Sequence, residues 1–202
     1  MNTLLTLTRP WRCLIAIGCF SLLLTACADN TMDDVSGSCP CRIPTASITI
    51  DGSFDDWNDV SPVLSDPGDD ASRSGAGGDL ENIYLAKSGD NLYLRFEVWY
   101  DSVDASNDYN VWFDMNEDQQ TDDAEDRRVS FQYSSVRVED GSNPTNNLSV
   151  ANASNAGGSN IEISLSISDL GLSERFILSA FIDDASNDTL DVSDNNVTIK
   201  NE

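Results

Sequence analysis

The amino-acid sequence predicts an all-β fold, an antiparallel β-sandwich of about nine strands with a jelly-roll-like arrangement. In many short segments apolar residues alternate with polar ones at a period of two, which is the period of a half-buried strand. Turn residues such as Gly, Asn, Asp and Ser separate these segments. No long segment has the period of an amphipathic helix. Many short strands without helices are typical of sandwich folds.

Two segments carry the clearest alternation. Apolar residues occupy every second position from Leu92 to Val98 and again from Ile161 to Ile167. The sequences at 88–91 and 141–144 combine Gly with Asp, Asn or Ser and predict hairpin connections. Residues 168–171 predict a single helical turn. Shorter segments with the strand pattern are residues 47–50, 82–86, 110–115, 129–138, 147–151, 176–182 and 196–199.

Residues 1–26 differ in composition from the rest of the chain. Arg9 and Arg12 precede an almost unbroken apolar stretch that is too short to span a bilayer, which is the pattern of a secretory signal. The stretch closes on Leu-Thr-Ala-Cys, which resembles a bacterial lipobox, so we expect Cys27 to carry a diacylglycerol and to begin the mature chain. Ala28, rather than an aspartate, follows and resembles the pattern of lipoproteins exported to the outer membrane. The alternative is an ordinary signal peptide with an accidental cysteine.

Residues 27–44 are rich in Asp, Ser, Thr and Gly and lack periodic apolar positions. This composition predicts a flexible linker between the lipid and the folded part of the chain. Cys39 and Cys41 lie within it, and we expect them to form a small disulfide clip or an intermolecular bridge, because no histidine or second cysteine pair is present to complete a zinc site. Residues 45–202 are then predicted to form one β-sandwich domain.

The chain is strongly acidic. It has 35 acidic residues against 11 basic ones, a net charge of −24, so nucleic acid is a poor partner. It has no histidine. This excludes serine and cysteine hydrolases that need a histidine base, and it disfavours haem ligation. No carboxylate lies in a setting distinctive enough to nominate it as the acid of a glycosidase, so the sequence favours a protein that is not an enzyme.

The acidic segment that begins at Asp114 has the spacing of a calcium-binding loop. Oxygen-bearing side chains fall at loop positions 1, 3, 5 and 9, and a glutamate falls at position 12. Gln119 stands where such loops prefer glycine, and the alternative is a solvated acidic loop. Residues 66–79 hold a second group of aspartates without comparable spacing, which we interpret as plain surface. The candidate calcium ligands are Asp114, Asn116, Asp118, Gln120, Asp122 and Glu125.

Aromatic and polar side chains alternate with the predicted core positions. Sugar rings stack on flat aromatic side chains while amides and arginines bind the hydroxyls, so we predict a carbohydrate-binding face on the outer side of the sheet. The alternative is that loops cover these tryptophans, which would then be structural. Trp57 lies beside the first predicted strand and is expected to pack in the core. The candidate carbohydrate-binding residues are Tyr93, Arg95, Trp99, Trp112 and Gln132.

A series of short motifs runs through almost the whole predicted domain. They are Ile50-Asp51-Gly52, Asp55-Asp56-Trp57, Asp79-Leu80, Asn91-Leu92-Tyr93-Leu94, Phe113-Asp114, Ile161-Glu162-Ile163 and Asp169-Leu170. In order and spacing the series resembles the family 9 carbohydrate-binding modules and their DOMON-like relatives. The resemblance implies a β-sandwich, bound calcium in many members, and binding of a sugar or, in some members, of haem.

These residues and the resemblance predict a non-catalytic, calcium-stabilised carbohydrate-binding domain of the bacterial envelope. Its partners are a carbohydrate and, through a lipid on Cys27, the outer membrane, on either the periplasmic or the cell-surface side. The runner-up is a structural or adhesive envelope domain that binds a protein partner. A glycoside hydrolase-related enzyme and a haem-binding electron-transfer domain are the remaining alternatives.

Overall fold

Two β-sheets pack against each other in the computed structural model, which describes residues 41–72, 77–99 and 102–202. One sheet contains β1 (Cys41–Arg42), β5 (Asp108–Asp114), β6 (Arg127–Gln132), β7 (Ser135–Asp140), β8 (Asn143–Asn147), β11 (Arg175–Asp183), β12 (Thr189–Val192) and β13 (Val197–Lys200). The other contains β2 (Leu64–Ser65), β3 (Leu80–Ser88), β4 (Asn91–Val98), β9 (Asn152–Gly157) and β10 (Asn160–Ser166). A short helix, α1 (Ile167–Leu170), follows β10 and ends at Gly171, whose φ of 70° is left-handed.

The larger sheet has the order β1-β13-β11-β5-β6-β7-β8, with β12 beside β11, and the smaller has β2-β3-β4-β10-β9. Among the named strands every pair is antiparallel except β1 with β13. The predicted antiparallel β-sandwich is therefore confirmed. No helix within the described ranges is long and apolar enough to cross a bilayer. The predicted signal peptide, Cys27 and Cys39 lie outside the described residues.

The core lies between the two sheets, because the alternating apolar positions of both point into one shared cluster. Phe96 of β4 packs edge-to-face on Tyr109 of β5, with ring centroids 5.4 Å apart, so the two sheets meet through large aromatic side chains. Val111 and Phe113 of β5 face the same cluster as Leu92 and Leu94 of β4. Burial of these side chains supplies the main stabilisation of the fold.

The fold begins earlier than the predicted domain boundary at residue 45. Cys41 and Arg42 pair in parallel with Ile199 and Lys200, and Ile43 is buried in the core. Cys41 is disulfide-bonded, and the second cysteine of that bond lies outside the described residues. The last part of the predicted linker is thus an edge strand of the larger sheet.

The structure has more strands than the predicted nine. The segment 129–138 forms two strands, β6 and β7, joined by a two-residue turn in which Tyr133 and Ser134 both have positive φ. Neither residue type signals such a turn, which normally takes Asn or Gly. The sequence does not predict β9 either, because none of its six residues is large and apolar. The segment 147–151 contributes only Asn147 to a strand.

The predicted strand at 47–50 is not a strand. This segment and the following 3-10 turn, Asp55–Trp57, lie across the outer face of the smaller sheet. Ile48, Trp57 and Val60 form a second apolar cluster with Ala86 of β3, which faces away from the main core. We call residues 47–60 the covering segment, because their apolar side chains cover this face of the sheet although they form no strand in it. As predicted, Trp57 is buried, with 1% of its surface exposed.

A buried hydrogen bond fixes this covering segment to the sheet. The indole nitrogen of Trp57 donates to Oε1 of Glu162 at 2.8 Å, and the backbone N–H of Gly52 donates to Oε2 at 3.0 Å. Glu162 is fully buried on β10, and burial raises the pKa of its carboxyl, while these two hydrogen bonds oppose the rise. A buried carboxylate that loses a donor carries an uncompensated desolvation penalty.

We therefore expect Trp57→Phe to lower the free energy of unfolding by about 2 kcal/mol, since it leaves Oε1 of Glu162 without its donor. Urea denaturation followed by circular dichroism measures the change. Trp112→Phe, which makes the same size change at a half-buried position of the larger sheet, serves as the control and should change stability by less than about 0.5 kcal/mol. Equal losses in the two variants would show that the Glu162 bond contributes nothing specific.

Candidate functional site

The five predicted carbohydrate-binding residues do not form one surface. Tyr93 and Arg95 lie on β4 of the smaller sheet, and Trp112 and Gln132 lie on β5 and β6 of the larger sheet. All four point away from the core, so the two pairs face opposite sides of the sandwich. Trp99 follows the end of β4 and belongs to neither face.

The chain itself covers Tyr93 and Arg95. Tyr93 packs against the apolar cluster around Trp57. The guanidinium of Arg95 lies 5.2 Å from the ring centroid of Phe54 and 4.5 Å from that of Tyr84. It also donates to Glu97 at 2.7 Å, and its side chain is only 12% exposed. These contacts give Tyr93 and Arg95 a structural role under the covering segment.

The outer face of the larger sheet carries a different set of side chains. In register across the strands, Arg128 lies opposite Trp112, and Ser179 lies opposite Trp112 on the other side. The neighbouring row contains Arg137 of β7 and Phe181 of β11. We call the half-buried outward side chains of this region the Trp112 face: Trp112, Arg128, Gln132, Arg137, Ser179 and Phe181.

Two cross-strand ion pairs order the arginines of the Trp112 face. Arg128 forms an ion pair with Glu139, which is directly opposite it on β7, and its Nε donates at 2.8 Å. Nη2 of Arg137 donates to Oδ2 of Asp108 at 2.7 Å. The Arg128 guanidinium also stands 5.8 Å from the ring centroid of Trp112. Arg137 starts on β7 and reaches β5, so its side chain crosses the intervening strand β6.

Beneath these long side chains lies a closed polar layer. Asn110 and Ser130 point away from the core, yet both are fully buried. Ser130 donates its hydroxyl hydrogen to Oδ1 of Asn110, whose amide donates to the backbone carbonyl of Asp108 at 2.9 Å. Ser130 lies opposite Arg137, so the crossing arginine closes over it. This network satisfies the polar atoms beneath the arginines, and the two ion pairs hold the arginines themselves in place. Ordered side chains are the condition for a preorganised binding surface.

Asp108 is a buried carboxylate at the margin of the Trp112 face. Burial raises the pKa of its carboxyl, and the guanidinium groups of Arg137 and Arg128 oppose the rise. Its Oδ1 is buried without a hydrogen-bond partner, although Oδ2 is paired with Arg137. The arrangement holds a carboxylate and an arginine together at the margin of the Trp112 face, where the arginine presents several unused donors.

The predicted calcium loop makes the turn that its spacing requires. Gln119, at the position where such loops prefer glycine, has a φ of 65°, and its N–H donates to Oδ2 of Asp114 at 2.8 Å. The side-chain oxygens of Asn116 and Asp118 accept from the N–H two residues further on, at 3.1 and 2.8 Å. Asp114 is 3% exposed, and its Oδ1 is buried without a hydrogen-bond partner. That oxygen is free for a cation.

The second half of the loop is arranged differently from the prediction. Glu125 is exposed, as is Asp122, whereas the next acid, Asp126, is fully buried beside Asp114. Asp126 accepts the N–H of Met115 at 2.9 Å and that of Asp123 at 3.2 Å, and burial raises its pKa. Within the described parts of the chain, only one trio of acids brings oxygens within 4.8 Å of one another, and it lies outside this loop.

Sequence reasoning missed Arg128, Arg137 and Phe181 as members of the outer face. The alternation that places Trp112 outward also places these three outward, so the direction of each side chain could be read from the sequence. The sequence does not indicate which strands lie side by side. The order β11-β5-β6-β7 brings residues 112, 128, 137 and 181 together, and that order is a property of the tertiary structure.

Comparison with protein-family models gives no match, and comparison with the curated proteins gives none either. Among solved structures, a family 9 carbohydrate-binding module from Caldicellulosiruptor kristjanssonii in complex with glucose is similar, with a TM-score of 0.52 and 15% sequence identity over 80% of this chain and 94% of that chain. A second structure from that organism, in complex with cellotriose, has a TM-score of 0.48 and 16% identity, covering 80% and 92% of the two chains. The first of these structures shows that the fold is like that of a family 9 carbohydrate-binding module, as the sequence motifs predicted.

Proposed function

We propose that this protein is a non-catalytic carbohydrate-binding domain and that its ligand surface is the Trp112 face. The observation that carries the proposal is a half-buried tryptophan on an ordered sheet face, flanked by two arginines held in ion pairs. Flat aromatic rings stack on the apolar faces of sugars, and fixed polar groups beside them bind hydroxyls. The shared fold supports the proposal, since the similar structure of TM-score 0.52 is a sugar-bound module.

In this proposal Trp112 supplies the stacking surface, and Arg128, Arg137 and Gln132 supply hydrogen bonds. Each guanidinium has five N–H donors and uses only part of them in its ion pair, so donors remain for sugar hydroxyls. Glu139 and Asp108 are each held in an ion pair with an arginine, so in this proposal they order the arginines and take no part as a glycosidase acid. The proposed activity is therefore binding without hydrolysis.

We expect the purified protein to bind at least one glycan of a broad array in the presence of calcium, and Trp112→Ala to weaken that binding by roughly thirtyfold, which corresponds to about 2 kcal/mol. Tyr133→Ala is the matched control, because Tyr133 is an exposed aromatic residue on the β6–β7 turn, outside the Trp112 face. Unchanged binding by Trp112→Ala, or hydrolysis of the bound glycan, would overturn the proposal. Binding to no glycan would favour the alternative of a protein partner.

We also propose that the loop from Asp114 to Asp126 binds calcium through Asp114, Asn116 and Asp118. The buried, unpartnered Oδ1 of Asp114 supports this, because a hard cation would compensate a carboxylate oxygen that no donor reaches. The left-handed φ of Gln119 supports it too, since it gives the loop the sharp turn found in calcium loops. Here Asp126, rather than Glu125, is the acid that lies beside Asp114.

After chelation, a calorimetric titration with calcium should show saturable binding and a higher melting temperature, because a ligand that binds only the folded state stabilises it. Asp114→Asn should reduce the number of calcium ions bound per chain by one. Glu125→Gln is the control, since Glu125 is exposed, and it should leave that number unchanged. The reverse pattern, with Glu125 required and Asp114 dispensable, would refute the ligand set.

We further propose that Cys27 is lipidated and that the domain is anchored to the outer membrane. The residues between Cys27 and β1 can span at most about 50 Å, so the edge of the larger sheet would remain close to the membrane. Cys27→Ser should abolish incorporation of labelled palmitate and should move the protein from the membrane fraction to the soluble fraction. Cys41→Ser, which removes a cysteine of the fold, is the control and should keep the label. Labelling that persists in Cys27→Ser would contradict the anchor.

A further inference from the structure

A second group of aspartates gathers where the sequence suggested plain surface. Asp66 follows β2, Asp70 lies four residues later, and Asp191 belongs to β12. One side-chain oxygen from each of the three lies within 4.8 Å of the other two. Asp79, at the start of β3, lies close enough to Asp70 and Asp191 for their charges to interact. Four acids from three distant parts of the chain therefore converge, which no sequence spacing could indicate.

Most of this group is buried. Asp66 and Asp79 are each 5% exposed, and Asp191 is 6% exposed, whereas Asp70 faces solvent. Oδ2 of Asp66 and Oδ1 of Asp79 are buried without any hydrogen-bond partner. Buried carboxylate oxygens in proteins are almost always paired with a donor or with a metal ion. Two such oxygens in one cluster are the observation that points to a missing positive partner.

The remaining oxygens of these acids are held by backbone N–H groups, which fix the cluster. Oδ1 of Asp66 accepts from Asp194 at 2.7 Å, and Oδ2 of Asp79 accepts from Asp69 at 2.9 Å. Oδ2 of Asp191 accepts from Leu80 at 2.6 Å. Each bond joins one segment to another, so the carboxylates are oriented by the fold itself. A set of rigid oxygens is preorganised for a cation.

The raised pKa values of these aspartates are consistent with a site for a cation. Burial raises the pKa of Asp66 to about 6, and the charges of Asp191 and Asp70 add to the rise, while the N–H of Asp194 opposes it. Burial also raises the pKa of Asp79 and of Asp191. No basic side chain of the described residues contributes to these shifts. The negative charge is thus not compensated by an arginine or lysine in the described ranges.

We propose that Asp66, Asp70, Asp79 and Asp191 form a calcium site separate from the Asp114 loop. All four ligands are carboxylates, which suits a hard cation, and none of the four is a histidine or a cysteine, which would favour a transition metal. The bound ion would join the 66–70 loop to β3 and β12. The two sites lie towards opposite ends of β11, since Asp114 pairs with Ile177 and Asp191 with Ile182, a separation of about 17 Å along the strand.

Trp99 provides a reporter specific to this site. Its indole N–H donates to the backbone carbonyl of Asp66 at 3.3 Å. Its ring lies so close to Gly68 that an added β-carbon there would be 3.0 Å away. Any adjustment of the 66–70 loop on binding a cation therefore changes the surroundings of the Trp99 indole. Among the described residues, Trp57 packs in the cluster with Ile48 and Trp112 lies beside Arg128, so neither indole contacts the 66–70 loop.

The test is a titration of the purified, chelator-treated, 15N-labelled protein with calcium chloride, followed by the indole N–H signals in NMR. The Trp99 signal should shift saturably. Asp66→Asn and Asp70→Asn should each weaken the calcium dependence of that shift by roughly tenfold or more. Asp59→Asn, which removes the charge of an exposed acid outside the cluster, is the matched control, and Asp114→Asn is the control for the other loop. Both should keep the Trp99 response.

A Trp99 signal that does not move up to about 10 mM calcium would overturn the proposal, because calcium sites of extracellular modules saturate below that concentration. So would an unchanged response in both Asp66→Asn and Asp70→Asn. The Trp57 indole signal reports in the same spectra that each variant is folded. Loss of the Trp99 response in Asp114→Asn alone would assign the binding to the Asp114 loop, against this proposal.

Discussion

The alternation of side chains along each strand is the constraint on which the rest of this structure depends. It commits one face of each sheet to the shared core, so, of the sheet faces, only the two outer ones can carry anything else. The chain covers the outer face of the smaller sheet with one of its own segments. The covering segment around Trp57 closes the smaller sheet and is held by the buried bond to Glu162. The larger sheet keeps the Trp112 face, with its arginines fixed by ion pairs over a buried polar layer.

Many acidic residues of the chain also have a structural role. Many aspartates are not merely solvating groups but acceptors that hold backbone N–H groups at turns and strand ends, as Asp126 does for Met115 and Asp169 for Ala151. In four of the buried aspartates, Asp66, Asp79, Asp108 and Asp114, one oxygen is left without a hydrogen-bond partner. Asp108 is held in an ion pair with Arg137, and the other three mark the two places where we propose calcium. In each proposed site, backbone N–H groups bind one oxygen of a carboxylate, and the calcium ion would bind the other.

The fold class could be predicted because period-two alternation is local and strong from Leu92 to Val98 and from Ile161 to Ile167. What alternation cannot provide is the partner of each strand. Trp112 and Tyr93 both face outward, yet the strand order places them on opposite sides of the sandwich. The Asp114 turn was predictable from consecutive spacing, whereas Asp66 and Asp191 are brought together only by the packing of the two sheets, since Asp66 follows β2 of the smaller sheet and Asp191 lies on β12 of the larger one. The β6–β7 turn escaped prediction because Tyr133 and Ser134 adopt positive φ without Gly or Asn.

Of the two outer faces of the sandwich, we propose that the Trp112 face binds the ligand. The most direct measurement is an NMR titration of the calcium-loaded, 15N-labelled protein with the tightest-binding glycan of an array. The Trp112 indole signal and the amide signals of β5, β6 and β7 should shift, while the Trp57 indole signal and the amide signals of β3 and β4 should not. Shifts confined to Tyr93, Arg95 and the covering segment would show that the ligand binds the smaller sheet instead.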